Sequence, residues 1–346
     1  MNEGGEVRSY NLCLLGLGNV NRTLVRLLNE RSEGLREQHG ISWRITGVAT
    51  RRMGWIADQE GLDALRLAGG ELPARAAGGP NNVEEWLRAA KADVLLEATS
   101  LNAKTGQPAI DHIRAALEAG LHAITANKGP IVHAYEELRK LAREKRRQFL
   151  FESTVMDGVP IFAMFRENLP LVTVNGFHGI LNSTTNVILT GMEQGLSFEQ
   201  SLKQAQEFGV AETDASDDIE GWDAAVKTAA LVRVLMGVPL RLEEIEREGI
   251  GKLTADVVQA ACGAGTPYKL VCRAKRNSNG VRVSVRPEQV SLNDPMAHVA
   301  GTSSIVYFET DMFPGLAITE NNPRLEATAY GMLSDLIRAI GRRGTE

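Results

Sequence analysis

Three features of the sequence predict an α/β fold: a doubly wound parallel sheet of the Rossmann type, followed by a second domain of α+β character. Short apolar strands alternate with helices at close spacing through the first half of the chain. A glycine turn, Gly16-Leu17-Gly18, lies between the first strand and the first helix. After about Val155 this alternation gives way to a different pattern. The predicted division is residues 1–155 and 156–320, with a last helix within about 321–346 that packs back on the first domain.

Residues 10–15 are an apolar run that stops at Gly16, as a buried parallel strand should. A helix follows from about Asn21, with Leu24, Leu27 and Leu28 on one face; the charged stretch Glu30 to His39 reads as its solvated end and a loop. Trp43 to Thr50 is the second strand and Asp93 to Ala98 another buried one. Pro108 to Ala119 is a helix closed by Gly120, His122 to Ala126 a strand, Ala134 to Arg146 a helix, and Phe149 to Ser153 the last strand of the series. In the second half, 172–181, 268–275, 281–285 and 304–309 read as strands. Residues 197–208 form an amphipathic helix, Trp222 to Met236 a strong helix stopped by Gly237 and Pro239, and Leu325 to Ile340 the last helix.

Composition narrows the function classes. The chain has 346 residues, 43% apolar and 23% charged, which is the balance of a soluble globular protein. A net charge of −5 argues against a nucleic-acid partner. No apolar run approaches the roughly 18 residues of a membrane span, and the acidic N-terminus lacks the order of a signal peptide. Cys13, Cys262 and Cys272 form no Cys-x-x-Cys pair, so a reduced, cytoplasmic protein is expected. The six histidines show no metal-ligand spacing.

Gly16-Leu17-Gly18-Asn19-Val20-Asn21 ends a strand and opens a helix, the context a dinucleotide-binding turn needs. The first glycine makes the tight turn, the second admits a pyrophosphate, and the helix N-terminus faces the anion. Residues 1–155 are therefore read as a dinucleotide-binding domain, with Gly16, Gly18, Asn19 and Val20 at the cofactor. Thr99 and Ser100, directly after the strand at 93–98, complete the set. Asn21 stands where the pattern asks for Gly or Ala, so helix and strand are expected to pack less closely there. The second strand ends Ala49-Thr50-Arg51-Arg52, without the carboxylate that would hold a ribose 2′-hydroxyl. Arg51 and Arg52 suit a 2′-phosphate, which favours NADP, with NAD also open.

Three further segments carry polar residues that packing alone would not ask for. Thr125-Ala126-Asn127-Lys128 follows a buried strand and puts Lys128 at the sheet edge where ligands bind, although a solvated loop lysine fits the residue equally. Asn182-Ser183-Thr184-Thr185-Asn186 opens an apolar helix, with Ser183 or Thr184 as its N-cap. The stretch from Glu212 to Lys227 is an acidic loop running into an apolar helix, on which Asp223 and Lys227 share a face. A lysine in such surroundings is costly unless paired or working, and nearby carboxylates would hold it as an ammonium and bind a substrate ammonium too.

Together the glycine turn, Thr125 to Lys128, Asn182 to Asn186, Glu152 to Val155, Gly158-Val159-Pro160 and above all Glu212 to Lys227 resemble homoserine dehydrogenase across most of the chain. The resemblance implies an NAD(P)H-dependent, reversible reduction of L-aspartate 4-semialdehyde to L-homoserine, in threonine, methionine and isoleucine biosynthesis. It implies catalytic Lys128 and Lys227, and substrate contacts at Thr184, Glu212, Asp218 and Asp223. It implies a Na+ or K+ site, built largely from main-chain oxygens, at Glu152, Val155, Asp157 and Val159. It also implies that residues 156–320 bind substrate and dimerise, in a homodimer or homotetramer without the regulatory domain or fused kinase of some relatives. This sequence departs from the family at Asn21, at Ser183 (usually Gly), at Ala215 (usually Pro) and at Met156-Asp157-Gly158, where a Gly-Ala-Gly turn is usual. Residues 321–326 also lack a glycine-rich loop common there.

The absence of an acyl-forming cysteine near the predicted site argues against a phosphorylating aldehyde dehydrogenase. A dehydrogenase of the same fold acting on another amino or hydroxy acid, and a catalytically silent dinucleotide sensor, are the alternatives. The second gives no reason to keep both Lys128 and Lys227.

Overall fold

The computed structural model describes residues 6–71, 73 and 79–341. Residues 1–161 with 324–346 make one compact unit and residues 162–323 another. In the first, β1 (Arg8–Leu15), β2 (Ile41–Thr50), β3 (Gly54–Ala57), β4 (Val94–Glu97), β5 (His122–Thr125) and β6 (Phe149–Leu150) form a sheet in the order β3-β2-β1-β4-β5-β6. Strand order therefore reverses at β1, which pairs in parallel with β2 on one side and β4 on the other. The predicted Rossmann-type winding is present, with one correction: edge strand β3 runs antiparallel to β2. The reason is local. Thr50 Oγ1 accepts a hydrogen bond from the Met53 amide at 3.1 Å, and Gly54 takes a φ of 70°, which closes a hairpin through Arg51 and Arg52.

The helices of this unit are α1 (Asn19–Glu30), α2 (Ser32–His39), α3 (Ala64–Gly69), α4 (Val83–Ala89), α5 (Ala109–Glu118) and α6 (Gly129–Glu144). The charged stretch expected to be loop is helix α2: Leu35 is buried and anchors it, and Gly40 ends it in the left-handed region at φ 66°. Helix α6 begins five residues before the predicted start at Ala134, because Pro130 fits its first turn; the non-helical φ of −141° at Ala134 marks a kink. Strand β6 is shorter than expected, and Glu152–Thr154 is a 3-10 turn. Helices α3 and α4 and strand β3 carried no clear periodicity in the sequence.

At the boundary, α7 (Ile161–Ala163) runs into a π turn at Met164–Asn168. The second unit contains β7 (Val174–Ile180), α8 (Ser183–Glu193), α9 (Phe198–Glu207), α10 (Ser216–Ile219), α11 (Trp222–Leu235), β8 (Glu246–Arg247), α12 (Ala255–Gly263), β9 (Tyr268–Asn277), β10 (Gly280–Gln289), β11 (Ser304–Thr310) and β12 (Leu316–Glu320). Its sheet has the order β12-β11-β7-β9-β10-β8, antiparallel except where β10 meets β8. Ile180, Val271, Val290, Met296, Val299 and Ile305 build one core cluster of this unit.

The chain then returns to the first unit as α13 (Leu325–Ile340), whose Met332, Leu333 and Leu336 join Leu12, Leu24, Val48, Leu96 and Ile124 in a single core. Tyr10 fastens the end of α13 by donating its hydroxyl to the Ile340 carbonyl at 3.1 Å. Near its start the approach is closer still: a Cβ on Gly158 would lie 2.2 Å from the Ala327 carbonyl oxygen and 2.9 Å from the Gly331 nitrogen. Gly158→Ala must therefore push α13 off its seat. We expect a loss of about 1–3 kcal/mol in chemical denaturation; an unchanged unfolding midpoint would mean that the contact yields freely.

Candidate active site

The turn after β1 is built from its glycines. Gly16 has φ +81°, and a Cβ there would come within 2.6 Å of the Ala98 carbonyl oxygen, so no other residue fits without displacing the start of the loop after β4. Gly18 is the N-cap of α1 in extended conformation, and a Cβ on it would meet nothing within 4 Å. The side of the turn at Gly18 is open, which is what close approach by an anion requires. Helix α1 has neither a side-chain cap nor an acidic residue in its first turn, and its first backbone hydrogen bond into the helix comes from Arg22. The amides of Asn19 and Val20 are thus placed to meet phosphate oxygens.

Asn21 corrects the expectation of looser packing. It is fully buried, and its Nδ2 donates to the carbonyls of Gly16 at 2.6 Å, Leu15 at 3.2 Å and Leu96 at 3.4 Å. The amide fills the space a glycine would leave and binds α1 to the ends of β1 and β4. Arg51 and Arg52 lie exposed in the hairpin turn after β2, and no hydrogen bond or ion pair of theirs appears among the described residues.

The ends of β4 and β5 are joined by polar groups. Glu97, the last residue of β4, is buried and accepts from the Thr99 amide at 2.8 Å and from the hydroxyls of Thr99 and Thr125. Burial pushes its carboxyl above the ordinary range, and the two threonines pull it back. Asn127 accepts from the Gly129 amide at 3.0 Å and reaches the Ser100 carbonyl at 3.4 Å. Between these two residues Lys128 is half-buried and forms the N-cap of α6.

In the second unit the structure brings together Asp218, Asp223 and Lys227, and it does so through a residue the sequence marked only as part of a polar run. Asn182, not Ser183 or Thr184, caps α8: its Oδ1 accepts from the Thr185 amide at 2.8 Å. Its Nδ2 donates to Asp218 Oδ1 at 2.6 Å and to Asp223 Oδ2 at 3.0 Å. Lys227 Nζ lies 3.0 Å from the same Asp223 oxygen and 2.7 Å from the Leu181 carbonyl, with a side chain only 17% exposed. Burial first, and Asp223 second, raise the pKa of Asp218; Asn182, Thr184 and Lys227 oppose them. Thr184 also donates to the Val210 carbonyl at 2.9 Å. Glu212 is exposed in the loop after α9, where only its carbonyl is engaged, by Gln206 at 3.3 Å. Cys272 is a buried thiol raised to about 11 by burial, so it is no nucleophile.

Three of the four residues expected at a monovalent cation make contacts of their own. Glu152 Oε2 faces Arg338 at 3.9 Å, Asp157 Oδ1 accepts from Thr328 at 2.6 Å, and the Val159 carbonyl accepts from the Ile161 amide at 2.8 Å. Among the described residues no cluster of three or more Asp, Glu, His or Cys could hold a metal ion. The side-chain oxygens of Glu152 and Asp157 are engaged in this way, and no chemistry is assigned to a cation.

Comparison with known proteins agrees with the geometry. Residues 160–337 match the family described as homoserine dehydrogenase, and residues 16–152 the one described as homoserine dehydrogenase, NAD binding domain. The chain is 35% identical to an NAD(+)-dependent homoserine dehydrogenase of Pseudomonas canavaninivorans, covering 95% of each chain. It is 32% identical to a homoserine dehydrogenase of Methanocaldococcus jannaschii, covering 94% of this chain and 97% of that one. A homoserine dehydrogenase structure from Thiobacillus denitrificans superposes with a TM-score of 0.83 at 29% identity, over 97% of this chain and 74% of that one. A hyperthermophilic archaeal homoserine dehydrogenase mutant in complex with NADPH gives 0.79 at 26%, over 96% and 98%.

The raised pKa of Asp218 has a consequence for stability. An acid whose folded pKa lies above its unfolded value binds more protons in the folded state, so stability falls as pH rises through that window, from 3.8 upward. The penalty is fully present once pH is above the folded pKa. Asp218→Asn should therefore raise Tm there, with the gain shrinking toward acid pH in thermal melts. A lower Tm at neutral pH would contradict the assignment.

Proposed function

We infer the mechanism from one premise: this chain belongs to the homoserine dehydrogenase family. It is an oxidoreductase acting on a CH–OH group, and its reaction is the reversible NAD(P)H-dependent reduction of L-aspartate 4-semialdehyde to L-homoserine. The observation that carries the residue assignments is the Asn182–Asp218–Asp223–Lys227 constellation, two acids and a lysine held by one amide on largely buried helix ends.

The nicotinamide cofactor, when bound, gives up or takes back the hydride. Gly16, Gly18, Asn19 and Val20 would hold its pyrophosphate at the N-terminus of α1, and Thr99 and Ser100 would line it from the loop after β4. When hydride reaches the aldehyde carbon, negative charge develops on the oxygen. Lys227 is the group that protonates this oxygen, giving the alcohol; in the reverse direction its neutral amine takes the hydroxyl proton. Asp223 keeps Lys227 charged before the transfer, and the Leu181 carbonyl fixes the direction of its N–H bonds. Lys128, at the start of α6 in the first unit, is the second catalytic lysine of this reading. Asp218 and Asp223, with Glu212, attract the substrate ammonium, and Thr184 offers its hydroxyl beside them.

The cofactor is NADP in this reading, because no carboxylate ends β2 and the two exposed arginines Arg51 and Arg52 follow it. The enzyme assembles as a homodimer or homotetramer on the sheet of the second unit, where His178, Tyr307 and Arg273 lie side by side on half-buried positions of β7, β11 and β9. Its three free cysteines suit the cytoplasm, and no described helix is long and apolar enough to cross a membrane.

Two measurements test the reading. Lys227→Ala should lower kcat for homoserine oxidation by at least about 100-fold while the cofactor Kd stays put; near-normal turnover would sink the proton-transfer role. Replacing Arg51 and Arg52 together by Ala should raise KM for NADPH about 10-fold more than KM for NADH, the effect of roughly one lost charge-assisted contact. An unchanged ratio would remove the case for NADP.

A further inference from the structure

We propose that Glu97 is a positioning residue for this reaction: its buried carboxyl staples the loop after β4, which carries Thr99 and Ser100, to the loop after β5, which carries Lys128. The proposal rests on the assignment of those loops to the active site.

Glu97 ends a strand that otherwise reads Val94-Leu95-Leu96, and it is completely buried. Among the described residues no basic side chain pairs with it, so the core gains nothing from a carboxyl here that another leucine would not supply. What distinguishes the carboxyl is the division of its two oxygens. Oε1 accepts both donors of Thr99, the amide at 2.8 Å and the hydroxyl; Oε2 accepts the hydroxyl of Thr125. Glu97 and Thr125 are direct partners in the parallel register of β4 and β5, so one side chain at this position can hold both strand ends.

The pattern continues outward until it closes on itself. Thr125 Oγ1, while donating to Glu97, accepts from the Asn127 amide at 2.8 Å. Asn127 Nδ2 then returns to the first loop, 3.3 Å from the Thr99 carbonyl, 3.4 Å from its hydroxyl and 3.4 Å from the Ser100 carbonyl. Asn127 Oδ1 takes the Gly129 amide at 3.0 Å. Lys128 lies between the two residues joined by that last bond, so its backbone has little freedom left. Gly129 is hemmed in as well: a Cβ on it would stand 2.8 Å from Gly106 Cα. A network closed in this way fixes two loops with respect to each other to within hydrogen-bonding tolerance, and catalytic groups need that order of placement.

The test compares Glu97→Ala, Glu97→Gln and Thr125→Val in the full-length enzyme, with Lys128→Ala as reference. Glutamine keeps an acceptor for the Thr99 amide and can donate to Thr125, so it should retain most function; alanine loses both arms. For Glu97→Ala we expect NADPH Kd, read by nicotinamide fluorescence, to rise about 10-fold and kcat to fall about 10-fold, with homoserine KM within about 3-fold of wild type. Thr125→Val, which cuts the Oε2 arm together with the acceptor of the Asn127 amide, should lower kcat, and its effect should add less than fully to that of Glu97→Ala. If Glu97→Ala does not fold, Glu97→Gln and Thr125→Val carry the same reading. Unchanged NADPH Kd and kcat in Glu97→Ala or, where it does not fold, in Thr125→Val would overturn the staple. So would a loss of activity that tracks Tm alone and touches all kinetic constants alike. If Lys128→Ala itself leaves turnover intact, the placement of that loop in the active site fails, and the staple with it.

Discussion

Strand β1 is held on both sides, by β2 and by β4, and the chain leaving it has three residues in which to turn and start a helix. That constraint determines the first unit. The left-handed φ at Gly16 is the way out of the strand, and the Ala98 carbonyl 2.6 Å from where its Cβ would be leaves no alternative residue. Because the strand order reverses here, the loops after β1 and β4 emerge side by side, and α1 starts with its amides uncommitted. The dinucleotide site therefore follows from sheet topology more than from any one side chain. Asn21 supports the same point from the inside. It occupies a glycine position because its Nδ2 donates to carbonyls at the ends of β1 and β4, while its Oδ1 stays buried without a partner among the described residues.

The second unit places its chemistry by a different device. Helix α11 is apolar at Ala224, Ala225, Val226 and Ala229, which forces its N-terminal turns into the core and takes Asp223 and Lys227 with them. Two partly buried carboxylates and an ammonium in such a place would be costly if left to themselves. Asn182 resolves this by serving three functions at once: N-cap of α8, donor to Asp218 and donor to Asp223. Burial and Asp223 still raise the pKa of Asp218, and in the proposed reading a substrate ammonium supplies the charge that offsets them.

Much of this was legible in the sequence, and the parts that were not share a cause. Strands β1, β4 and β5 and helices α1, α5 and α11 announce themselves because burial imposes a period on their residues. Helices α3 and α4 are short and lie beside residues rich in Gly and Pro, so no period develops. Helix α2 is mostly charged and depends on Leu35 alone, which a single sequence presents as an exposed loop. Among site residues, Lys227 and Asp223 stood out as charges in apolar surroundings. Asn182 and Glu97 did not: a polar residue at the end of a strand looks the same whether it caps a helix, meets solvent or bridges two loops. Their roles depend on which strand lies alongside, and strand neighbours are a property of topology. The contacts that Glu152 and Asp157 make with α13, and Val159 with the amide of Ile161, are likewise invisible without the fold.

The two kinds of residue differ in what can replace them. A side chain proposed to perform chemistry, such as Lys227, is fixed by its charge and proton affinity, and no neighbour can substitute for it. A side chain that joins elements is fixed only by geometry and by the donors it meets. Asn21 shows that such a position can change character entirely, from glycine to a buried amide, when carbonyl groups are there to receive it. Glu97 is more constrained, because three donors from two loops converge on it and Thr99's amide can do nothing but donate. An acceptor is compulsory at that point; a charge is not. The difference explains why the polar residues of this protein that are hardest to read from sequence are also those whose chemistry is least specific, while the few proposed to carry out the reaction are conspicuous by their surroundings.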